Sequence, residues 1–210
     1  VLSSLTAPIA IAGPVTSVTV ADSVVGLVDA GAASGTALDA AQAALDLQRS
    51  SFFGSVHGQT LAASDCIFES PVVAERRQTG CVRFCYVPPA SSVPRRYRCQ
   101  PQLESDTRIA ALRDAAKAAG LPPPTAAAED AVRAEVEATV RPLFVSRRYG
   151  DPALAQLDLR CAVQIRTGAE SGAEMGAYEQ LRQPQREANL ADALAEYLRL
   201  GLTAGVYFAN

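Results

Sequence analysis

Histidine occurs once in the 210 residues, at His57. A Ser–His–Asp or Cys–His arrangement would have to use that one imidazole, and metal motifs built on two histidines are excluded. Its setting, GSVHGQ, reads as a surface corner rather than as a pocket. No apolar run reaches the roughly 18 residues that a membrane-spanning helix needs. The apolar N-terminus VLSSLTAPIAIAGPV has no basic flank of the signal-peptide kind, and Pro8 and Pro14 interrupt it. The expected location is therefore the cytoplasm, or a particle assembled there. There is no C-x2-C pair, the most frequent spacing for zinc. The stretch GAESGAEMGA lacks the Gly-Lys-Ser/Thr ending of a phosphate loop and reads as a flexible loop. Basic excess is missing too: the net charge is −3 and the sequence pI about 5.3, so nucleic acid is not the expected partner.

What the chain has is small apolar residues. Apolar types make up 49% of it and aromatics only 6%, which predicts a core of closely packed small side chains. Between Leu45 and Val87 three apolar pairs recur, Phe52-Phe53, Ile67-Phe68 and Cys81-Val82, at steps of 15 and 14 residues. Val24-Val25 fits the same series if the step of 28 residues to Phe52 spans two units. A near-constant period with turn residues in each unit predicts stacked coils. Within residues 1–28, Ile9 and Ile11, then Val18 and Val20, alternate as strands do. The segment DAGAASGTALDAAQAA at 29–44 reads as a small-residue loop with a short helical turn. Pro88, Pro89 and Pro94, with Arg95, Arg96 and Arg98, suit a cap at the end of the last coil.

Helical signals begin at Leu103. Ile109, Leu112 and Ala116 give an apolar stripe that stops at Gly120, before three prolines. Thr125 is an N-cap for a second helix carrying Val132, Val136 and Val140, which ends before Pro142. Leu157, Leu159 and Cys161 alternate like a strand. Pro184 opens a last helix through Leu190, Leu194, Tyr197 and Leu198, with Gly201 as its stop, and the tail Val206, Tyr207 and Phe208 is apolar enough to dock back. The expected architecture is α+β: a short right-handed parallel β-helix with its cap over 1–100, then a helical region with a short strand segment over 101–210.

Several side chains are candidates for chemistry. Asp22, Asp46, Asp65, Glu69 and Glu75 are the carboxylates from which a polysaccharide-cleaving pair could be drawn, although Asp22 and Asp65 sit where turn-forming residues belong. Cys66, Cys81, Cys85 and Cys99 could be buried thiols, a zinc set or a disulfide, and Cys66 and Cys81, one period apart, could stack in neighbouring coils. No catalytic residue, cofactor or metal ligand is assigned. The expected interaction residues are two Arg/Tyr clusters, Arg95, Arg96, Tyr97 and Arg98, and Arg147, Arg148 and Tyr149, a mixture enriched at protein–protein contacts.

The run ERRQTGCVRFCYVPPASSVPRRYRCQP, with SRRYGDPALAQL and QPQREANLADALAEYLRLGL downstream, resembles the C-terminal region of uncharacterised bacterial proteins. These are similar to β-helix proteins associated with phage-tail-like and contractile-injection gene neighbourhoods, and the resemblance covers residues 15–208. It implies a structural or interaction protein without catalysis, a scaffold component of a larger assembly. Its implied partners are other protein subunits, a further copy of itself, or a longer parent chain, since Val1 rather than Met opens the sequence. The alternative is a β-helix that binds or cleaves polysaccharide.

Overall fold

The computed structural model describes residues 5–6, 8–26, 35–198 and 202. Short strands fill the first half: β1 (Leu5–Thr6), β2 (Ile9–Ala10), β3 (Ser17–Ala21), β4 (Val24–Gly26), β5 (Thr36–Gln48), β6 (Ser51–Phe53), β7 (Ser55–Ser64), β8 (Ile67–Phe68), β9 (Val72–Ala74), β10 (Gly80–Arg83) and β11 (Arg96–Tyr97). All pair in parallel. They build a four-stranded sheet in the order β1-β4-β6-β8 and a seven-stranded sheet along β11-β10-β7-β5-β2, to which β3 and β9 also belong. Helices follow: α1 (Gln102–Ala118), α2 (Ala126–Thr139), α3 (Val163–Arg166) and α4 (Gln183–Tyr197).

This arrangement corrects the expectation of a short right-handed parallel β-helix. The strands form two parallel sheets, and with the helices they make a mixed α/β fold. The near-constant period fails as well. Residues hydrogen-bonded between successive strands are 27 positions apart at Asp22 and Arg49, through their side chains, but 19 apart where Cys66 N donates to Cys85 Sγ. The reason is that the four-stranded sheet is buried on both faces. Val25, Phe52 and Phe68 point into the core between the sheets, while Val24, Phe53 and Ile67 point into a second core on the other side. A strand buried on both faces shows adjacent apolar residues. Cys81-Val82 lies on β10 in the other sheet and is no member of that series.

The passage from one sheet to the other has the same form in successive strands. The residues Ala21, Gln48, Ser64, Arg83 and Tyr97 are in register. The residue after each, Asp22, Arg49, Asp65, Phe84 and Arg98, is left-handed, with φ between 41° and 55°. Aspartate accepts that backbone readily, but arginine and phenylalanine do not, so packing holds these corners. Arg49 forks onto Asp22 at 2.6 and 2.9 Å, and the Phe84 ring meets Tyr97 edge-on at 5.7 Å. The next residues, Ser23, Ser50, Cys66, Cys85 and Cys99, are all buried. The neighbouring thiols are thus Cys66, Cys85 and Cys99, not Cys66 and Cys81.

Residues 36–44 are strand rather than loop. They form much of β5, whose Ala37, Ala40 and Ala43 are buried, while residues 29–34 lie outside the described residues. Small size serves close strand packing here. Gly58 on β7 has the same role, since a Cβ there would stand 2.5 Å from Leu45. Leu157, Leu159 and Cys161 form no strand; Leu157 makes a single bridge to Phe144. α1, α2 and α4 lie where expected, whereas α3 was not expected: Thr125 caps α2 by accepting from Ala128 N at 3.3 Å, and Pro184 falls in the first turn of α4. Gly201 and the tail Val206–Phe208 lie outside the described residues. No helix among the described residues is long and apolar enough to cross a membrane.

The second core joins the C-terminal half to the four-stranded sheet through Val136, Val140, Phe144, Leu154, Ile165 and Met175. The Gly-rich stretch after α3 is no flexible loop but a clasp on that sheet. Glu170 N donates to Asp65 Oδ1 at 2.7 Å, Gly176 N to the Asp65 carbonyl at 2.7 Å and Ala177 N to Ser51 Oγ at 3.1 Å. Its Ala173, Met175 and Ala177 are buried.

Candidate functional site

A cavity of about 440 Å³ opens where the end of α2 meets the outer face of the four-stranded sheet. The sheet side contributes Glu69, just after β8, and Tyr86. The C-terminal half contributes Arg141, directly after α2, Arg147 and Arg160, with Pro142, Leu143 and Ala162 as apolar wall. That volume lies within the range of small-molecule and side-chain pockets.

Arg147 is the fixed part of the site. Its guanidinium pairs with the Glu69 carboxylate and stands 5.8 Å from the centre of the Phe53 ring and 5.6 Å from that of Phe144. Those two rings pack at 4.8 Å. Guanidinium against aromatic faces is a geometry that lysine does not reproduce. Burial pushes the Glu69 carboxyl up from its ordinary value, and the Arg147 charge opposes that rise. Arg160 is held by Asp158, which accepts from Nε at 3.0 Å and Nη2 at 2.8 Å; these bonds and the backbone hold Asp158 down at about 2.

Two groups in the cavity have no such commitment. Among the described residues neither the Arg141 guanidinium nor the Tyr86 hydroxyl makes a side-chain hydrogen bond or ion pair. Burial raises the Tyr86 phenol and the Arg141 charge lowers it, so phenol and guanidinium share one electrostatic environment. Both are donors, and three arginines outnumber the one carboxylate of the lining. The arrangement favours an incoming anionic oxygen, which would take N–H from Arg141 and O–H from Tyr86. Behind the wall, the Cys161 sulfur accepts from Leu143 N at 3.4 Å, and burial raises its thiol, which makes it a packing group rather than a nucleophile.

The two expected Arg/Tyr clusters do not share one site. Arg147 belongs to the cavity. Arg148 and Tyr149 lie in the turn beyond it, where Arg148 N donates to Ser146 Oγ at 3.1 Å and Tyr149 is 70% exposed. Arg95, Arg96, Tyr97 and Arg98 lie at β11, on the edge of the seven-stranded sheet. Arg141, Arg160 and Tyr86 were not anticipated. The one available signal was an arginine at the stop of a helix, immediately before Pro142.

The five candidate carboxylates are each tied to a partner of their own. Asp22 holds Arg49, Asp46 accepts from Gln48, Asp65 holds the clasp, Glu69 holds Arg147, and Glu75 accepts or shares a proton with His57 Nε2 at 2.7 Å. His57 is no corner: it lies within β7, with Asp39 Oδ1 3.4 Å from its Nδ1. The cysteines are free thiols, Cys81 exposed and Cys66, Cys85 and Cys99 buried, and no group of three metal-binding side chains forms among the described residues. Burial raises Cys85 and takes Cys99 up to about 12. No protein-family model, no curated protein and no solved structure matches this chain.

Proposed function

We propose that the chain is an interaction protein, a scaffold component of a larger assembly, and that the arginine-lined cavity takes a carboxylate-bearing group from a partner subunit. The observation that carries this reading is the pairing of two uncommitted donors, Arg141 and the Tyr86 hydroxyl, in a cavity whose other arginines are already held. A rigid cationic pocket with an anchored Arg147 suits a buried, oriented contact with an acidic side chain. The assembly is of the phage-tail-like or contractile-injection kind that the resemblance of residues 75–101, 146–157 and 183–202 implies, put together in the cytoplasm.

Light scattering on eluting complexes tests the reading, with the chain alone and mixed with the products of neighbouring genes. The expected result is a defined complex that Arg141→Glu breaks while the circular dichroism of the chain stays unchanged. A monodisperse monomer that joins none of those products would overturn it.

A further inference from the structure

β11 ends the seven-stranded sheet. Val82 N donates to the Arg95 carbonyl and Phe84 N to the Tyr97 carbonyl, both at 3.0 Å. Successive residues of a strand turn their polar groups to opposite sides, so the N–H and C=O of Arg96 face out of the sheet. Around this edge the side chains are cationic and largely uncommitted. Arg95 and Arg98 are exposed and make no side-chain hydrogen bond or ion pair among the described residues, and Arg96 gives one N–H to the Ser91 carbonyl at 3.2 Å. No acid occurs from residue 88 to residue 101. Tyr97, half exposed, stands edge-on to Phe84.

Beyond the corner at Arg98 lies a second, smaller cavity of about 220 Å³, lined by Phe84, Arg98, Gln100, Leu103 and Gln164 among others. Gln100 is 5% exposed; its Oε1 accepts from Glu104 N at 3.3 Å, while its Nε2 has no acceptor among the described residues. The Gln164 amide is likewise unpartnered. Arg98, Gln100 and Gln164 thus line one space, ample for an acidic side chain, beside the apolar Phe84 and Leu103. N–H donors of this kind match a carboxylate.

We infer that this edge docks an extended acidic segment of a partner protein. The segment adds main-chain hydrogen bonds at Arg96, as peptides do when they lengthen a sheet, and sets one carboxylate among Arg98, Gln100 and Gln164. Charge complementarity selects the occupant: three arginines stand within four residues, Arg95 and Arg98 exposed, on a chain whose net charge is −3, which disfavours the polyanionic backbone of nucleic acid. The inference extends the proposed interaction role but shares no residue with the Arg141 cavity, so the two readings fail separately.

The test is fluorescence anisotropy with the whole chain and a labelled octapeptide of alternating Glu and Val. Saturable binding is expected, weakened about tenfold by Arg98→Ala. Because Arg98 holds a left-handed φ of 51°, Arg98→Asn provides a second variant whose side chain tolerates that backbone, and the same loss is expected. Arg95→Glu, off the corner, also weakens binding. The Gln/Val version of the peptide is expected to bind no better than Arg98→Ala binds the original. Absence of saturable binding, equal binding by wild type and both Arg98 variants, or tighter binding of labelled oligo-dT than of the acidic peptide would each overturn the inference.

Discussion

Replacing Glu174 with Gln should stabilise the protein at pH 8 and leave it nearly unchanged at pH 4. Glu174 sits in the clasp between the buried Ala173 and Met175, itself 7% exposed, with no side-chain partner among the described residues. The nearby cation, Arg166, is held by Glu187 at 2.8 Å. Burial takes the carboxyl from 4.5 up to about 7, with Arg166 opposing and Glu187 adding to the rise. A carboxyl that binds its proton more tightly when folded contributes no penalty below the unfolded value, where both states are protonated. Stability then falls as pH rises from about 4.5 and the loss is complete above about 7. At 1.36 kcal/mol per pKa unit, the loss is about 3 kcal/mol. Glutamine has the shape and polar load of the protonated acid but no charge to acquire, so the variant matches wild type at low pH and escapes the loss at high pH. For a chain of this size that corresponds to a rise in Tm of about 6–12 °C at pH 8. Thermal melts followed by circular dichroism at pH 4 and pH 8 measure it. No gain at pH 8 would mean that Glu174 is ionised and compensated in the folded state, and an equal gain at both pH values would mean that its charge is not the cause; either result would refute the reasoning.

The corner pair gives a second expectation: Asp22→Ala and Arg49→Ala each cost about 1–2 kcal/mol in urea unfolding. Their double-mutant cycle should show coupling of about 1 kcal/mol, modest because the Arg49 side chain is 35% exposed; strict additivity would mean the fork adds nothing. Gly176→Ala and Gly172→Ala separate space from backbone. Both glycines have positive φ, but a Cβ at 176 would stand 2.6 Å from Ser51 Oγ and 3.0 Å from Ile67, whereas at 172 the nearest atom is Gln185 Nε2 at 3.6 Å. The first is expected to cost about 3 kcal/mol or more and the second about 1 kcal/mol, and equal costs would count against the clasp. A thiol reagent should modify Cys81 alone in the native protein and all five cysteines after unfolding; a second fast thiol would show that the corner stack opens.

Much of the helical half was legible because its signals are local. Thr125 caps α2, Pro184 starts α4, and Ile109 is the buried residue of the expected stripe on α1. The apolar pairs at Val24, Phe52 and Ile67 were real signals too, but of strands buried on both faces rather than of a constant repeat. β5 was illegible for a physical reason. TALDAAQAALDLQ has helix-forming composition, and only pairing with β2, β3 and β7 makes it a strand. Gly168 and Gly176 read as flexibility, yet they mark close approach: a Cβ at 168 would stand 2.1 Å from the Gln164 carbonyl oxygen. Of the cavity, only Arg147 and Glu69 stand among the candidates that the sequence offers. Arg141, Arg160 and Tyr86 each have an ordinary local context, and what makes them a set is the docking of distant segments.

That docking ties both candidate sites to one seam. The larger cavity takes Glu69 and Tyr86 from the sheet side and its arginines from the C-terminal half. The smaller takes Phe84, Arg98 and Gln100 from the corner stack and Gln164 from α3. Neither is complete in the sheets alone. The seam is closed by the second core and by the clasp bonds at Asp65 and Ser51, which join residues 105 and 126 positions apart. Glu174 lies in that clasp, so the stability lost as its carboxyl ionises towards neutral pH arises in the segment that closes the seam beside both cavities. Binding at either site therefore depends on the clasp as well as on the arginines that would touch a partner.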